Sequence, residues 1–485
     1  MERKIRWYDY ISVNIYYFAL TARSQTLALI VPLLIQSFVG EETKGQALGN
    51  IRLWGLMVAL LFQAFAGILS DRSTSRWGRR RPFIVIGAVT EVIIFILIGV
   101  IAATMEGIVG YWVLFAAYIL SMLASNTGHA ATQGLIPDLV PESKHGIFSG
   151  FKAFFELPAP LIFISFVISK LVGNNNIWGA LIVLSGVVLV CAAITLLVPE
   201  KPIKRPPFEM NWGPILRLLA MTGVFTVVIL GCGQLVKYIS QFTDTLSDTW
   251  KLILISAVGV LGMSIAVVVG VWFSIRISIG RKAHRGGRSF TWWVINRLAF
   301  LVGSTNLSVF AIYFLQEHFS DLGSGVIESS FGMLMLVVGL AIFISSIPAG
   351  WLSDKLGRKR VCAFSGGIAL IGTIIVTTSV NLTMLYIGGI IIGIGVGFFY
   401  SASWALGTAL VPKQEAGRYL GIQNLAGAGA GAVGAYIGGP IGDQVGFTVL
   451  MGIFGFLFLL STLALFGIKD PTKIAETSGT VTAEG

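Results

Sequence analysis

The sequence predicts an all-α polytopic membrane protein, built from two pseudo-symmetric six-helix bundles plus an inserted helix pair. Three observations carry this prediction: long apolar runs, a low charge content, and two motifs that each occur twice. Charged residues make up 12% of the 485 residues, and the mean hydropathy is +0.83. A soluble domain carries about a quarter charged residues, and apolar runs of about twenty residues are long enough to cross a bilayer as helices.

Fourteen apolar segments are predicted to be transmembrane helices. They are 10–38, 46–69, 83–104, 110–136, 147–172, 177–198, 214–239, 250–276, 291–318, 328–352, 360–379, 383–409, 417–441 and 446–468. The loops between them alternate between two sets. The first set, which we call the basic loops, holds nearly all the loop Lys and Arg: 70–82, 137–146, 199–213, 277–290, 353–360 and 410–418. The second set, the acidic loops, holds mainly Asp and Glu: 39–45, 105–109, 173–176, 240–249, 319–327, 380–382 and 442–445.

This alternation predicts how the chain is oriented. Loops rich in Lys and Arg stay on the cytoplasmic side of a membrane, so the basic loops are expected to face the cytoplasm. Lys44 is the one basic residue of the acidic loops. Because the number of spans is even, we expect a multi-pass protein of the plasma membrane with both termini in the cytoplasm.

Several function classes are not expected. The net charge of +11 could suit a nucleic-acid-binding protein, but the cations lie in short loops between apolar segments, where they orient the chain. The three cysteines lie inside apolar segments and the four histidines lack ligand spacing, so neither a metal nor another cofactor is expected. No nucleophile–base motif or Walker A sequence is found, so neither an enzyme nor ATP-driven transport is expected.

The chain contains an internal repeat. The stretch AGILSDRSTSRWGRRR at 66–81 matches AGWLSDKLGRKR at 349–360, and LVPESKHGIFSG at 139–150 matches LVPKQEAGRYLG at 410–421. The order of the two motifs is the same in both halves. We therefore predict a six-helix bundle at 1–198, a cytoplasmic linker with an inserted helix pair at 199–290, a second bundle at 291–468 and a polar cytoplasmic tail at 469–485. A parallel repeat of two bundles is a transporter architecture, with the solute site between the repeats.

The repeated motif between the second and third helix of each half resembles the signature loop of the major facilitator superfamily. The longer first copy, SDRSTSRWGRRRPFI, and the stretch TQGLIPDLVPESKHG resemble the branch of sucrose transporters and glycoside–pentoside–hexuronide:cation symporters. The inserted helix pair departs from that branch, whose members usually have twelve helices. Gln133 also departs from it, since sucrose transporters carry an arginine there.

The resemblance implies a secondary transporter that works by alternating access and symports a sugar, glycoside or similar small polar solute with a proton or sodium ion. The expected partners are that solute, the coupling ion and the lipid bilayer, and a monomer is expected. The resemblance also implies a gate, in which the acid and the arginines of each repeated loop latch the two halves on the cytoplasmic side. The residues of this gate are Gly67, Asp71, Gly78, Arg79 and Arg80 in the first copy, and Gly350, Asp354, Gly357 and Arg358 in the second.

Ionisable residues inside a span are costly and mark functional candidates. Arg23 lies near the middle of the first span, where it either takes part in solute binding or gating, or forms a structural ion pair. Glu156 lies one helical turn after Lys152 in the fifth span, followed by two prolines. It either carries the coupling ion or is permanently paired with Arg23 or Lys152. Glu91 in the third span is a second, weaker candidate for ion coupling.

Polar residues in other spans are candidates for solute binding. Asn126, His129 and Gln133 form one stripe of the fourth span, and amide and imidazole groups suit a hydroxyl-rich ligand. The repeat relates positions 129 and 133 to Tyr400 and Trp404, whose rings offer an aromatic face. Both sets are equally compatible with ordinary helix packing. Gln25 and Asn306 complete the predicted solute-binding residues.

Two alternatives to the symporter remain open. The fourteen-helix layout is compatible with a proton-coupled efflux antiporter for drugs or metabolites. A membrane sensor that transports nothing is a hypothesis of another class, although the short polar tail offers no output domain.

Overall fold

The structure, a computed structural model, describes residues 5–200, 202, 212–243, 247–278, 288–410 and 416–468. At residues 142, 324, 409, 416–421, 423 and 424 only the backbone is described. The predicted tail at 469–485 lies outside the described residues, as does most of the basic loops at 199–213 and 277–290.

The described residues form helices joined by short loops, and no β-strand occurs among them. The α-helices are α1 Asp9–Ser12, α2 Ile15–Val39, α3 Lys44–Asp71, α4 Arg81–Thr104, α5 Gly107–Gln133, α6 Leu135–Leu139, α7 His145–Glu156, α8 Pro158–Phe163, α9 Ser169–Gly173, α10 Ile177–Thr195, α11 Trp212–Gln241, α12 Asp248–Ser278, α13 Arg288–Val309, α14 Ala311–His318, α15 Ser324–Leu356, α16 Arg358–Thr377, α17 Leu382–Leu410, α18 Ala416–Val445 and α19 Phe447–Ala464. Two 3₁₀ turns at Glu142–Lys144 and Leu465–Gly467, and a π-helical turn at Ile164–Ile168, complete the set.

Twelve stretches of these helices are long and apolar enough to cross a membrane. The pair α13 and α14, which bends by 57° at Phe310, makes a thirteenth if it counts as one span. Helix α18 is as long as a span but rich in glycine, and it is not among these thirteen. The all-helical membrane fold predicted from the sequence is thereby confirmed, and the predicted count of fourteen is roughly matched.

Contacts divide the chain into two compact units. The first comprises Met1–Leu219 and Val309–Gly339, and the second comprises Ala220–Ser308 and Leu340–Gly485. Helix α14 and the first half of α15 therefore pack within the first unit. The bundle boundaries at 198 and 290 stay a prediction.

The fifth predicted span is broken where the sequence places its prolines. Helix α7 ends at Glu156 and α8 begins at Pro158, because a proline has no N–H to donate and its ring crowds the preceding turn. The π-helical turn then separates α8 from α9. Breaks of this kind are tolerated where neighbouring groups satisfy the freed backbone, and π-turns are frequent at functional sites.

Helix α18 packs in the second unit through its glycines. A Cβ at Gly434 would overlap the side-chain amide of Asn306, and one at Gly438 would lie 3.0 Å from the Phe454 ring. Gly434 and Gly438 thus have the four-residue spacing of small residues that lets neighbouring helices approach closely. At Gly427, by contrast, nothing lies within 4 Å of a built Cβ.

Gly434 and Gly427 give a matched test of the packing. Gly434→Ala is expected to displace Asn306 and break its 3.1 Å hydrogen bond to the Ala430 carbonyl, at a cost of about 1–3 kcal/mol. Gly427→Ala meets no neighbour and is expected to be neutral or to stabilise the helix by up to about 1 kcal/mol. Thermal unfolding of the two purified variants in the same detergent measures the difference, and equal unfolding temperatures would contradict this packing.

Candidate functional site

Arg23 and Glu91 form an ion pair in the core of the first unit. The Arg23 Nε lies 2.7 Å from Glu91 Oε1, and the Arg23 Nη2 donates to Ser121 Oγ at 2.5 Å. Ser121 donates in turn to Glu91 Oε1 at 2.6 Å. Both charged residues are buried, with 6% of Arg23 and 3% of Glu91 exposed. The structural ion pair, one of the two roles considered for Arg23, is therefore the arrangement that the contacts favour.

Three polar side chains of the first unit join in a chain of hydrogen bonds. His129 of α5 lies 3.4 Å from Gln63 Nε2 through its Nδ1 and 3.0 Å from Gln133 Nε2 through its Nε2. A neutral imidazole accepts at one nitrogen, so one of the two amide N–H groups can donate to it. Gln133 is exposed, which leaves one end of the chain open to a ligand.

A lysine and a carboxylate adjoin this chain through Tyr17. The Tyr17 ring stands perpendicular to His129 with their centroids 6.3 Å apart, and the Lys152 ammonium lies 4.7 Å from the Tyr17 ring centroid. Lys152 Nζ is 3.7 Å from Glu156 Oε2, and both side chains are partly exposed. We call the six residues of these contacts the His129 cluster: Tyr17, Gln63, His129, Gln133, Lys152 and Glu156.

Two further predicted residues of the first unit stand apart from the His129 cluster. Asn126 turns back to its own helix and donates to the Met122 carbonyl at 2.8 Å. Gln25, on α2, is half-buried. The predicted stripe is thus only partly joined, since two of its three residues interact with each other.

In the second unit the predicted aromatic face lies on α17, beside an arginine that the sequence analysis missed. Tyr400 and Trp404 are 43% and 51% exposed. The Arg297 guanidinium carbon lies 5.8 Å from the ring centroids of both Trp404 and Trp293. Arg297 lies inside the ninth predicted span. The criterion that singled out Arg23, an ionisable residue inside a span, would therefore have identified Arg297 too.

Arg297 differs from Arg23 in having no acid beside it. Its Nη1 lies 3.4 Å from Ser403 Oγ, its Nε has no hydrogen-bond partner, and only 7% of the residue is exposed. Among the described residues no carboxylate oxygen lies within 4 Å of it. Such a guanidinium can donate hydrogen bonds to an anionic or oxygen-rich group of a ligand.

Asn306, the last of the predicted solute-binding residues, is taken up by helix packing. It is fully buried and donates to the carbonyls of Val302 at 2.8 Å and Ala430 at 3.1 Å. No group of three His, Cys, Asp or Glu side chains that could hold a metal occurs among the described residues.

The first copy of the predicted gate is a network centred on Arg80. The guanidinium forms ion pairs with Asp71 and, at 3.0 Å, with Asp138 Oδ2, and it donates to Ser70 Oγ at 2.8 Å. Arg79 also pairs with Asp138. Gly134 faces the guanidinium without a side chain, since a Cβ there would overlap it. The network therefore ties the end of α3 to the start of α4 and to α6.

A third acid, Glu200, caps the beginning of α4. Its carboxylate accepts from the Arg80 N–H at 2.8 and 3.0 Å and from the Arg81 N–H at 3.2 Å. Gly78 has φ +103°, a conformation that favours glycine, and the Glu200 side chain occupies the space beside it. Sequence analysis assigned Glu200 to the linker, and its pairing with a loop 120 residues earlier could not be read from local pattern.

The second copy of the gate has a different network. Asp354 is exposed, and Ser353 Oγ, the counterpart of Ser70 Oγ, is buried without a partner. Arg358 donates to the Ala405 carbonyl at 3.0 Å, while Gly357 repeats the positive φ at +91°. Gly67 and Gly350 lie where their helices contact a neighbouring helix. A Cβ built at Gly67 would lie 4.0 Å from the Ala130 Cβ, and one built at Gly350 would lie 3.4 Å from the Ser401 Oγ. The contacts described for each loop lie within one unit, and its role as a latch stays a prediction.

Lys44, the basic exception among the acidic loops, also has a local explanation. It is buried, its Nζ lies 2.5 Å from Glu41 Oε2, and it sits 4.8 Å from the Tyr313 ring centroid. Burial acts to raise the pKa of Glu41, but hydrogen bonds from Lys44 and Gln36 outweigh it and hold that pKa below its ordinary value. Lys44 thus serves the packing of the first unit.

The comparisons with known proteins agree with this architecture. The family model of the Major Facilitator Superfamily matches residues 13–316 and 293–482, and the chain belongs to this family. The membership of the major facilitator superfamily that the repeated loops led us to expect is thereby confirmed.

The relatives are matched over short stretches. The chain is 32% identical over 133 residues to the minor myo-inositol transporter IolF of Bacillus subtilis (strain 168), covering 27% of this chain and 28% of the relative. It is 32% identical over 99 residues to the myo-inositol transporter 2 of Schizosaccharomyces pombe, covering 20% of this chain and 18% of the relative. The chain thus matches less than a third of the length of these relatives. Among solved structures, a D-xylose-proton symporter shares the fold with a TM-score of 0.64 and 15% identity, covering 96% of this chain and 98% of that chain.

The Arg80 network and the second copy of the gate give a contrasting pair of variants. Asp138→Asn is expected to weaken two ion pairs with partly buried arginines and to lower the stability by about 2–3 kcal/mol. Asp354→Asn, in an exposed position, is expected to change it by less than about 0.5 kcal/mol. Thermal unfolding in detergent measures both, and an equal effect of the two substitutions would contradict the asymmetry between the loops.

Proposed function

We propose that this protein is a secondary transporter that carries a sugar-like polyol or a similar small polar solute by alternating access, coupled to a cation. The observation that carries the proposal is the His129 cluster, a hydrogen-bonded row that ends in the exposed amide of Gln133. We further propose that it lies in the plasma membrane as a monomer, with the basic loops and both termini in the cytoplasm.

The chemistry of the His129 cluster suits a hydroxyl-rich solute. Each hydroxyl group both donates and accepts, as do the amides of Gln63 and Gln133 and the ring of His129. Because the imidazole can exchange donor and acceptor nitrogens, the row can reverse its polarity to fit a ligand. The solute's oxygens would then replace water at Gln133.

The second unit has its own candidate residues for solute binding. Tyr400 and Trp404 present exposed rings on which the apolar face of a sugar or cyclitol can lie. Arg297 stands behind Trp404 with an unpartnered Nε, and it can donate to ring or hydroxyl oxygens of the solute. The proposed roles of Gln25, Asn126 and Asn306 are secondary, since two of these side chains are engaged with helix backbone.

We assign cation coupling to Glu156. The ammonium of the neighbouring Lys152 would compete with the coupling cation for the Glu156 carboxylate. The separation of 3.7 Å and the partial exposure of both side chains allow the pair to form and break at modest cost. Glu91 is held by both Arg23 and Ser121, so a coupling role for it requires that this buried pair be opened.

The names of the relatives support the choice of solute. Two of them are called myo-inositol transporters and one solved structure with this fold is a D-xylose-proton symporter. Inositol and xylose are both small ring-forming polyols, which is the ligand chemistry inferred from the cluster.

Uptake by the purified protein in proteoliposomes tests the proposal. Radiolabelled myo-inositol and D-xylose are supplied with an imposed proton gradient, an imposed sodium gradient, or no gradient. Accumulation of at least one of them, driven by one of the gradients, is expected. Absence of gradient-driven accumulation of either solute, with extrusion of lipophilic cations instead, would favour the efflux antiporter.

The solute contact at Gln133 has a matched control in Asn126 on the same helix. Gln133→Ala removes an exposed hydrogen-bonding group and is expected to raise the KM for the transported solute about tenfold, the equivalent of one hydrogen bond. Asn126→Ala removes an amide that is bound to its own helix and is expected to change the KM less than about twofold. A larger effect at Asn126 than at Gln133 would remove the His129 cluster from the site.

A further inference from the structure

Glu328 is a buried carboxyl group that the contacts described above do not use. It lies in the second turn of α15, in the part of that helix that belongs to the first unit. Only 5% of it is exposed. The sequence analysis passed over it because it falls at the first residue of the tenth predicted span, where an acid is ordinarily a loop residue.

Glu328 lies on the face of α15 that packs against the broken fifth span. A Cβ at Gly325 would lie 2.9 Å from the Gly173 carbonyl oxygen, and one at Gly332 would lie 3.1 Å from the Ser165 Cα. Residues 325, 328 and 332 are spaced by three and four and so share one helical face. The carboxyl group is therefore placed in a close helix contact at the acidic-loop end of the first unit.

The carboxyl group has no cation beside it. Among the described residues, no Lys, Arg or His nitrogen lies within 4 Å of it. Its Oε2 is shielded from water and has no hydrogen-bond partner among the described residues.

The other titratable groups of the neighbouring elements are few. Lys170 of α9 lies 5.9 Å from the Phe166 ring centroid. Helix α14 carries Glu317 and His318, and His318 is stacked on Phe314 with centroids 4.9 Å apart. Helix α15 itself holds no other ionisable residue before Asp354. Of these groups, His318 is the one that would also titrate between pH 5 and 8, so it must be tested separately.

A carboxylate in such a place is strongly disfavoured. Burial of an ionised carboxylate without a partner costs far more than binding a proton, so the group becomes neutral instead. If α15 parted from α9, water would reach the carboxyl group and favour its ionised form. The closed contact would then hold one proton more than the open one.

From this geometry we propose that Glu328 is a proton-binding site, which takes up one proton from the solvent when α15 closes on α8 and α9 and releases it when the contact opens. The inference rests on the proposed function in one respect, namely that transport requires this contact to open. The proposed ligand is a proton, because the described residues offer no second carboxylate beside Glu328 to help form the several-oxygen shell that a hard metal cation needs.

The test is the pH dependence of the helix contact, measured without any solute. Spin labels are placed at Ile108 of α5 and Val326 of α15, which are 60% and 46% exposed, in the full chain with Cys191, Cys232 and Cys362 replaced by serine. Double electron–electron resonance in lipid nanodiscs gives the distance distribution at pH 5 and pH 8. One linked proton changes the ratio of open to closed forms by up to about tenfold per pH unit, so the longer-distance population is expected to grow at pH 8.

Three variants assign this response. Glu328→Gln is permanently neutral and is expected to keep the short-distance population at both pH values, whereas Glu328→Asp and His318→Gln are expected to respond as the parent protein does. The proposal is overturned if Glu328→Gln retains the full response, if His318→Gln abolishes it, or if the parent protein shows none. Since no solute is present, these outcomes are separate from the uptake experiment, and gradient-driven accumulation alongside an unaltered Glu328→Gln response would reject this inference alone.

Discussion

The cost of leaving a charge unpaired in an apolar interior governs how this protein is arranged. In the first unit this cost is avoided at Arg23, because its guanidinium has both Glu91 and Ser121 within 2.7 Å. Removing one partner of a buried pair commonly costs about 3–5 kcal/mol, because the other charge remains without compensation. Helices α2, α4 and α5, which carry these three residues, are thereby held together. Two of them, α2 and α5, also carry Tyr17, His129 and Gln133 of the His129 cluster.

Other ionisable groups in the spans lack a close partner of opposite charge or are only loosely paired. Proposed functions are assigned to these groups. Arg297 has no acid beside it, Glu328 has no cation, and Lys152 and Glu156 are paired loosely and partly exposed. The repeated loops show the same contrast, since Arg80 is matched by two acids while Asp354 is exposed. The sequence repeat is therefore symmetric in its motifs but not in its electrostatics, and an uncompensated charge is one that a ligand or a conformational change can satisfy.

Most of the fold could be predicted from the sequence, whereas the site could be predicted only in part. Apolar runs act locally, so the all-helical membrane fold was predicted and the number of spans roughly matched. The break after Glu156 lies at the prolines of the fifth span, which was predicted as one uninterrupted segment. The partner of Arg23 depends on how three helices pack, and the sequence pattern named only Glu156 as an acid that could pair with it, whereas the partner in the structure is Glu91. Glu200 was missed for the same reason, since its contact joins residues 120 positions apart. Arg297 and Glu328 were within reach of the rule for buried charges, but one was passed over and the other fell at a span boundary.

The central claim is that matched buried charges hold the structure and unmatched ones carry transport. Gradient-driven solute uptake in proteoliposomes tests it with the double variant Arg23→Gln/Glu91→Gln, in which both charges are removed together and no uncompensated charge remains. The account predicts uptake within about twofold of the parent protein, whereas Arg297→Gln loses at least about tenfold, the equivalent of one charged hydrogen bond. If the double variant unfolds at the parent temperature and yet loses gradient-driven uptake, while Arg297→Gln retains it, the claim is contradicted.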